Sequence, residues 1–229
     1  MQCVILAAGL GSRMMPLTQN TPKPLLRVSG KPILEHIITA LPQEIEEVVL
    51  VVGYKGEVIR EYFGDFYCGK KMTYYEQTHP AAGSGVALLC AKDILQGRFM
   101  FLYGDDILGR EGLDELTNHQ YAVSTYFMEN LGRFGSVMQN EDGTMNKIML
   151  GRYNPPEGKS GFAYIGGAVL DTNIFSYVNE SNRCDETLLI DLLNAFAKEY
   201  EMSVVEQEMW LPIGFPEDIE KAEAVLNGQ

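Results

Sequence analysis

The strongest constraint on the fold is a run of short apolar segments that alternate with amphipathic ones. Residues 3–7, 47–53 and 98–103 are short, mostly apolar and rich in Val, Ile, Leu and aromatics, and each reads as a buried strand. Residues 72–76, MTYYE, read as a further strand. Between the first two, Ile33, Leu34, Ile37, Ile38 and Leu41 fall on one helix face, and Pro32 suits that helix's first turn. A turn over 53–57 leads into a helix through about residue 63, and residues 86–95 read as a further helix. Such alternation calls for right-handed βαβ units around a parallel sheet, and hence an α/β fold. After residue 120 the pattern turns strand-rich. Residues 121–128, 134–139, 147–150 and 162–170 are strand-like, and 151–161 form a polar loop. A helix over 188–200, short strands at 203–205 and 209–211, and a helix over 217–226 close the chain.

A length of 229 residues suits one domain, and the change of pattern after residue 120 divides it into halves, 1–120 and 121–229. The formal net charge of −13 argues against broad nucleic-acid or anionic-membrane binding. Anions can still bind where cations are focused, and Arg13, Lys23 and Lys31 are close in sequence. The four cysteines, Cys3, Cys68, Cys90 and Cys184, have neither metal-type nor redox-type spacing. No basic leader precedes the first strand and no apolar run has membrane length, so a cytoplasmic location is expected.

The first strand runs directly into Ala8-Gly9-Leu10-Gly11-Ser12-Arg13. Small residues let the backbone turn tightly and let a ligand approach its N–H groups. Arg13 adds a fixed charge with bidentate reach toward phosphate. Lys23 stands between Pro22 and Pro24, on a tether stiffened by both rings. The loop is neither a dinucleotide fingerprint, since Met14 stands at the third glycine, nor a P-loop, since no Gly-Lys-Ser/Thr follows. Asp105 sits just past the carboxyl end of the fourth strand, where open α/β sheets place ligands, and a carboxylate there can hold Mg²⁺. Asp106 is expected to support Asp105 or to cap a following helix. Gln77 can pair with a base edge through donor and acceptor together. His79 has no fixed partner that would make it catalytic.

The stretch LAAGLGSRMMPLTQNTPKPLL resembles the signature of the sugar-1-phosphate nucleotidylyltransferases, L-A-[AG]-G-x-G-[ST]-R followed by P-L-T and P-K-[PQ]-[LM]. The resemblance implies a Rossmann-like three-layer sandwich with a mostly parallel central sheet, of the nucleotide-diphospho-sugar transferase type. It implies a nucleotide-binding half, 1–120, and a sugar-binding half, 121–229, with Leu6, Ala7, Ala8, Gly9, Gly11 and Ser12 binding the nucleotide. Arg13, Lys23 and Asp105 would be catalytic, with Asp105 on Mg²⁺. The segment QTHPAAGSG resembles the family's base-recognition element, implying roles for Gln77, Gly83 and Ser84, although one extra residue separates Pro80 from Gly83. In the second half, Gly135 resembles the glycine that packs on the sugar, Gly166 the small residue under it, and Glu186 the acceptor of sugar hydroxyls.

Two departures stand out. Where the family carries Glu-Lys-Pro, this chain reads Leu150-Gly151-Arg152-Tyr153-Asn154-Pro155, so Arg152 or Lys159 would replace the sugar-phosphate lysine. Where W-x-D supplies a second metal-binding aspartate, this chain has Pro212. Asp218 or Glu217 could then substitute for it. The expected reaction joins a nucleoside triphosphate, UTP or dTTP by analogy, to a sugar 1-phosphate with release of pyrophosphate. A cytidylyltransferase acting on phosphocholine and a catalytically weak nucleotide-sugar-binding regulator are the alternatives. With the chain ending at 229, no C-terminal β-helix domain is expected.

Overall fold

The structure is a computed structural model, and it describes residues 1–77, 83–132, 134–150, 158–178 and 188–228. In chain order the strands are β1 (Gln2–Ala7), β2 (Arg27–Val28), β3 (Lys31–Pro32), β4 (Glu47–Val52), β5 (Phe66–Tyr67), β6 (Lys70–Glu76), β7 (Arg98–Tyr103) and β8 (Asp106–Leu108). They continue with β9 (Ala122–Met128), β10 (Ser136–Gln139), β11 (Met145–Met149), β12 (Gly161–Asp171), β13 (Ser203–Glu206) and β14 (Trp210–Pro212). The helices are α1 (Ile33–Ala40), α2 (Gly56–Phe63), α3 (Gly83–Cys90), α4 (Arg110–Asn118), α5 (Leu188–Phe196) and α6 (Pro216–Leu226).

The main sheet runs β11-β10-β12-β7-β1-β4-β6-β5, with β9 paired to β12 and β13 paired to β9. Strands β7, β1, β4 and β6 are mutually parallel, whereas β12 is antiparallel to β7. The centre is the part of the sheet buried on both sides, which is why β4, EVVLVV, shows no polar alternation. Successive residues of β1 still face opposite ways. Cys3 and Ile5 join a core cluster with α1, α2, Leu113 and Leu116 of α4 and Ala222 of α6. Val4 joins the other cluster, with α3 and α5. The result is three layers, helices on both faces of a mixed, mostly parallel sheet. Among the described residues no helix is long and apolar enough to cross a membrane.

Several boundaries differ from the sequence reading. Pro32 is not in the first turn of α1. It precedes the helix with extended backbone and pairs with Arg27 in the β2–β3 hairpin. The third helix begins at Gly83 rather than 86 and ends at Cys90, followed by turns. The strand β8 and the helix α4 lie in a stretch whose sequence pattern is weak. Only Gly112, Leu113, Leu116 and Thr117 of α4 are buried.

The topology fixes where ligands can sit. From β1 the chain moves to β4 and β6 on one side, then crosses to β7 on the other. Loops leaving the carboxyl ends of β1 and β7 therefore diverge, and the crevice between them is the ligand position of open α/β sheets.

Candidate active site

The loop after β1 and the turn after β7 line this crevice together. A cavity of about 290 Å³ is walled by Leu6, Ala7, Ala8, Gly9, Lys23, Pro24, Gln77, Gly83, Ser84, Ala87, Tyr103, Gly104 and Asp105. A second, of about 240 Å³, is walled by Gly9, Gly11, Ser12, Arg13, Met14, Lys23, Asp105 and Gly214. Gly9, Lys23 and Asp105 belong to both, so the two cavities meet at the Lys23–Asp105 pair. The larger one is mostly apolar and suits a flat ring. The smaller one carries backbone N–H groups and the exposed Arg13 and suits anionic oxygens.

Local packing shapes the loop. Gly11 has φ 64°, a left-handed conformation, and a Cβ there would meet Thr18 Cγ2 at 2.9 Å. The buried Thr18 hydroxyl donates to the Gly11 carbonyl at 2.8 Å, closing the segment on itself. A clasp from the β4–α2 connection holds the far end of the segment. Lys55 Nζ donates to the carbonyls of Asn20 at 2.7 Å and Gln19 at 3.2 Å, and the Tyr54 hydroxyl donates to Gln19 at 3.0 Å. The segment then turns at Lys23, whose Nζ meets Asp105 Oδ2 at 2.6 Å. The Lys23 side chain is 12% exposed and that of Asp105 45%, so the carboxylate faces the cavities while the ammonium lies beneath. Among the described residues Arg13 has no acidic partner. Lys31, on β3, lines neither cavity.

Tyr103 is the wall residue that the sequence left unmarked. It is the last residue of an apolar strand, and its position there was the available signal. Burial pushes its phenol up to about 12, with the Ser84 hydroxyl beside it. Its ring fits against Gly166, which has φ +80° and whose Cβ would fall inside the ring. Gly166 lies in the irregularity of the β9–β12 pairing, between Tyr164 and Ala168. Gly166 thus acts on the cavity through Tyr103. Gly135 packs toward the Met149 carbonyl, and its own carbonyl accepts from Tyr164 N at 2.8 Å. Gln77 is buried in the larger cavity, with its N–H on the Val52 carbonyl at 2.8 Å. Arg152, Glu186 and His79 lie outside the described residues. Lys159 is exposed.

Behind Asp105, β14 pairs with β8, and Ile213 N donates to the Asp105 carbonyl at 3.2 Å. Asp106 is in β8 and caps no helix. Its Oδ2 accepts from Trp210 Nε1 at 3.2 Å. Burial and the neighbouring Asp105 push its carboxyl well above the usual range. Asp218 is not a spare ligand. Its Oδ2 accepts from the N–H groups of Gly214 and Phe215 at 3.0 and 2.9 Å, and its Oδ1 pairs with Lys221 at 3.0 Å. These contacts place it as an acid in the first turn of α6, where the helix start favours negative charge.

A glycine-containing loop opposite a strand-end carboxylate, at the switch point of a mostly parallel sheet, defines an α/β protein with a ligand crevice at the carboxyl ends of its strands. The nucleotidyl transferase family matches residues 2–228, and the chain belongs to that family. It is 32% identical over 229 residues to the bifunctional protein GlmU of Methanocaldococcus jannaschii, covering 99% of this chain and 54% of that protein. The chain therefore spans about half the length of the GlmU relatives it matches. With the UTP–glucose-1-phosphate uridylyltransferase AglF of Haloferax volcanii the identity is 31% over 239 residues, covering 99% of this chain and 96% of that one. A solved structure of a glucose-1-phosphate thymidylyltransferase from Bacillus anthracis, described as putative and in complex with sucrose, superposes with a TM-score of 0.84 at 28% identity, covering 98% and 94% of the two chains.

Proposed function

We propose that this chain is a sugar-1-phosphate nucleotidylyltransferase. A phosphate oxygen of the sugar 1-phosphate attacks the α-phosphorus of a nucleoside triphosphate, and pyrophosphate leaves. The observation that carries the reading is the Lys23–Asp105 pair at the junction of the base-sized and phosphate-sized cavities. UTP or dTTP is the favoured nucleotide. The likeness to a uridylyltransferase and a thymidylyltransferase supports this, as does Gln77 in the larger cavity.

The reaction needs no covalent intermediate, so catalysis is positioning and charge neutralisation. The Gly9–Ser12 backbone cradles the triphosphate. Arg13 neutralises the leaving β- and γ-phosphates. Lys23, drawn off Asp105 by the incoming anions, spans the α-phosphate and the attacking phosphate. Tyr103 and Gln77 hold the base in its slot. A divalent cation fits this site, because Asp105 offers a half-exposed hard carboxylate at the junction and its Oδ2 already faces a positive charge. Bound there, Mg²⁺ supplies Lewis-acid polarisation of phosphate oxygens.

The test is pyrophosphate release with Mg²⁺, crossing UTP, dTTP, CTP, GTP and ATP with sugar 1-phosphates and phosphocholine. Release with UTP or dTTP and one sugar 1-phosphate is expected. Release only with CTP and phosphocholine would replace the reading with the cytidylyl reaction. Silence across the panel would overturn it.

A further inference from the structure

Proline at 212 removes the aspartate that the family's W-x-D pattern would place there, yet Pro212 does not stand over an apolar neighbour. In the two-stranded ladder of β8 and β14 its register partner is Asp106. Directly opposed residues of an antiparallel pair project to the same face, with Cβ atoms about 4.5–5.5 Å apart. A carboxylate at 106 therefore occupies the neighbourhood that one at 212 would occupy. We propose that Asp106 supplies the second carboxylate toward the divalent cation, the ligand having moved across the ladder from β14 to β8. The inference rests on the reading of Asp105 as a metal-holding residue.

Three observations converge on it. Asp106 adjoins Asp105 in sequence and lies within electrostatic reach of both Asp105 and Lys23, the two groups at the cavity junction. Its only hydrogen bond among the described residues is from the neutral Trp210 indole to Oδ2, which orients the carboxylate without neutralising it. Neither competing acid is available, since both Asp218 oxygens are engaged at the start of α6 and Glu217 is exposed in the same turn and lines neither cavity. Among the described residues no group of three or more His, Cys, Asp or Glu could hold a metal ion. Two carboxylates completed by substrate phosphates and water are the kind of set Mg²⁺ accepts. A dication also relieves the repulsion between adjacent partly buried carboxylates.

The experiment follows Mn²⁺ binding by loss of its free-ion EPR signal, with a non-hydrolysable UTP analogue present. Wild type, D105N, D106N, W210F and the double variant D106N/P212D are compared, with circular dichroism to check each fold. Asn at 106 keeps an oxygen for Trp210, so the fold should survive. The expected result is about ten-fold or greater weakening in D106N, a smaller weakening in W210F, and recovery in D106N/P212D. Weakening in D106N without recovery in the double variant overturns the proposal, as does equal weakening in W210F, because loss of the Trp210 contact would explain either. Binding shared by wild type and D106N overturns the assignment of Asp106 alone. Absence of binding in wild type overturns the metal reading of Asp105 as well.

Discussion

Lys23 and Asp105 hold one another in place at the junction of the two cavities. A 2.6 Å contact between a nearly buried ammonium and a half-exposed carboxylate is short and charge-assisted, and it fixes both groups relative to one another. On the proposed mechanism, replacing Lys23 by alanine removes a preorganised charge from the transition state. The expected loss in kcat is about a hundred-fold or more, read by steady-state pyrophosphate release, with little change in the thermal transition. Ordinary turnover in K23A would remove Lys23 from the mechanism. Gly166 has the opposite profile, a stability effect first. Its positive φ and the Tyr103 ring over its Cα leave no room for a methyl group. G166A is expected to cost about 3 kcal/mol in urea denaturation, from overpacking and left-handed strain together.

At the scale of elements, three parallel strands are tied at their amino ends by one carboxylate. Glu47 on β4 accepts from Gln2 on β1 at 2.9 Å and from Thr73 on β6 at 2.7 Å, and it pairs with Lys71 at 2.8 Å. Burial alone would raise its carboxyl, but the hydrogen bonds to Lys71, Thr73 and Gln2 outweigh burial and hold it below its ordinary 4.5. With the folded value below the unfolded one, the stabilisation is fully present above pH 4.5 and is lost as pH falls through the folded value. The stability gap between wild type and E47Q should therefore shrink from pH 6 toward pH 3. Urea titrations at a series of pH values measure it, and a constant gap would contradict the assignment. The same elements show why sequence legibility was uneven. Strands β1, β4 and β7 announce themselves because both faces are buried, so apolar residues run without interruption. Strand β8 stays hidden because it is only three residues long, and helix α4 because about half of it is exposed. Their partners, β14 and Glu208, come from the far end of the chain. Helix α3 starts inside Gly83-Ser84-Gly85, a string that reads as loop, because tertiary packing against α5 overrides its low helix propensity.

Across the whole molecule, the candidate site draws on elements far apart in sequence. Gly9, Gln77, Tyr103 and Asp105 line one cavity, and Gly214 joins Arg13 in the other. A ligand that binds only this assembled form stabilises it by mass action. A non-hydrolysable UTP analogue at about a hundred times its Kd should add about 2.7 kcal/mol and raise Tm by about 5–10 °C in scanning fluorimetry. No shift with any nucleotide would argue that the crevice is not a nucleotide site. The contiguous part of the site was legible, because Leu6 to Lys23 form one segment whose residue types carry their chemistry locally. The parts made by register were not. That Tyr103 leans on Gly166, and that Asp106 opposes Pro212, follow from strand pairing, which no local pattern encodes.

The clasp of Lys55 and Tyr54 on the Gln19 and Asn20 carbonyls also says something about time. These contacts span about 35 residues of chain, and they form only when the β4–α2 connection lies against the end of β1. Closing a loop of that length costs chain entropy that the carbonyl contacts alone do not offset. The β1–β4 pairing is therefore expected to come first, with the segment from Gly9 to Asn20 ordered on it afterwards. During refolding, fluorescence of a bound nucleotide analogue should lag behind the circular dichroism of the sheet, and K55M should lengthen that lag. On the proposed reading, the sheet is what makes the loop competent to bind.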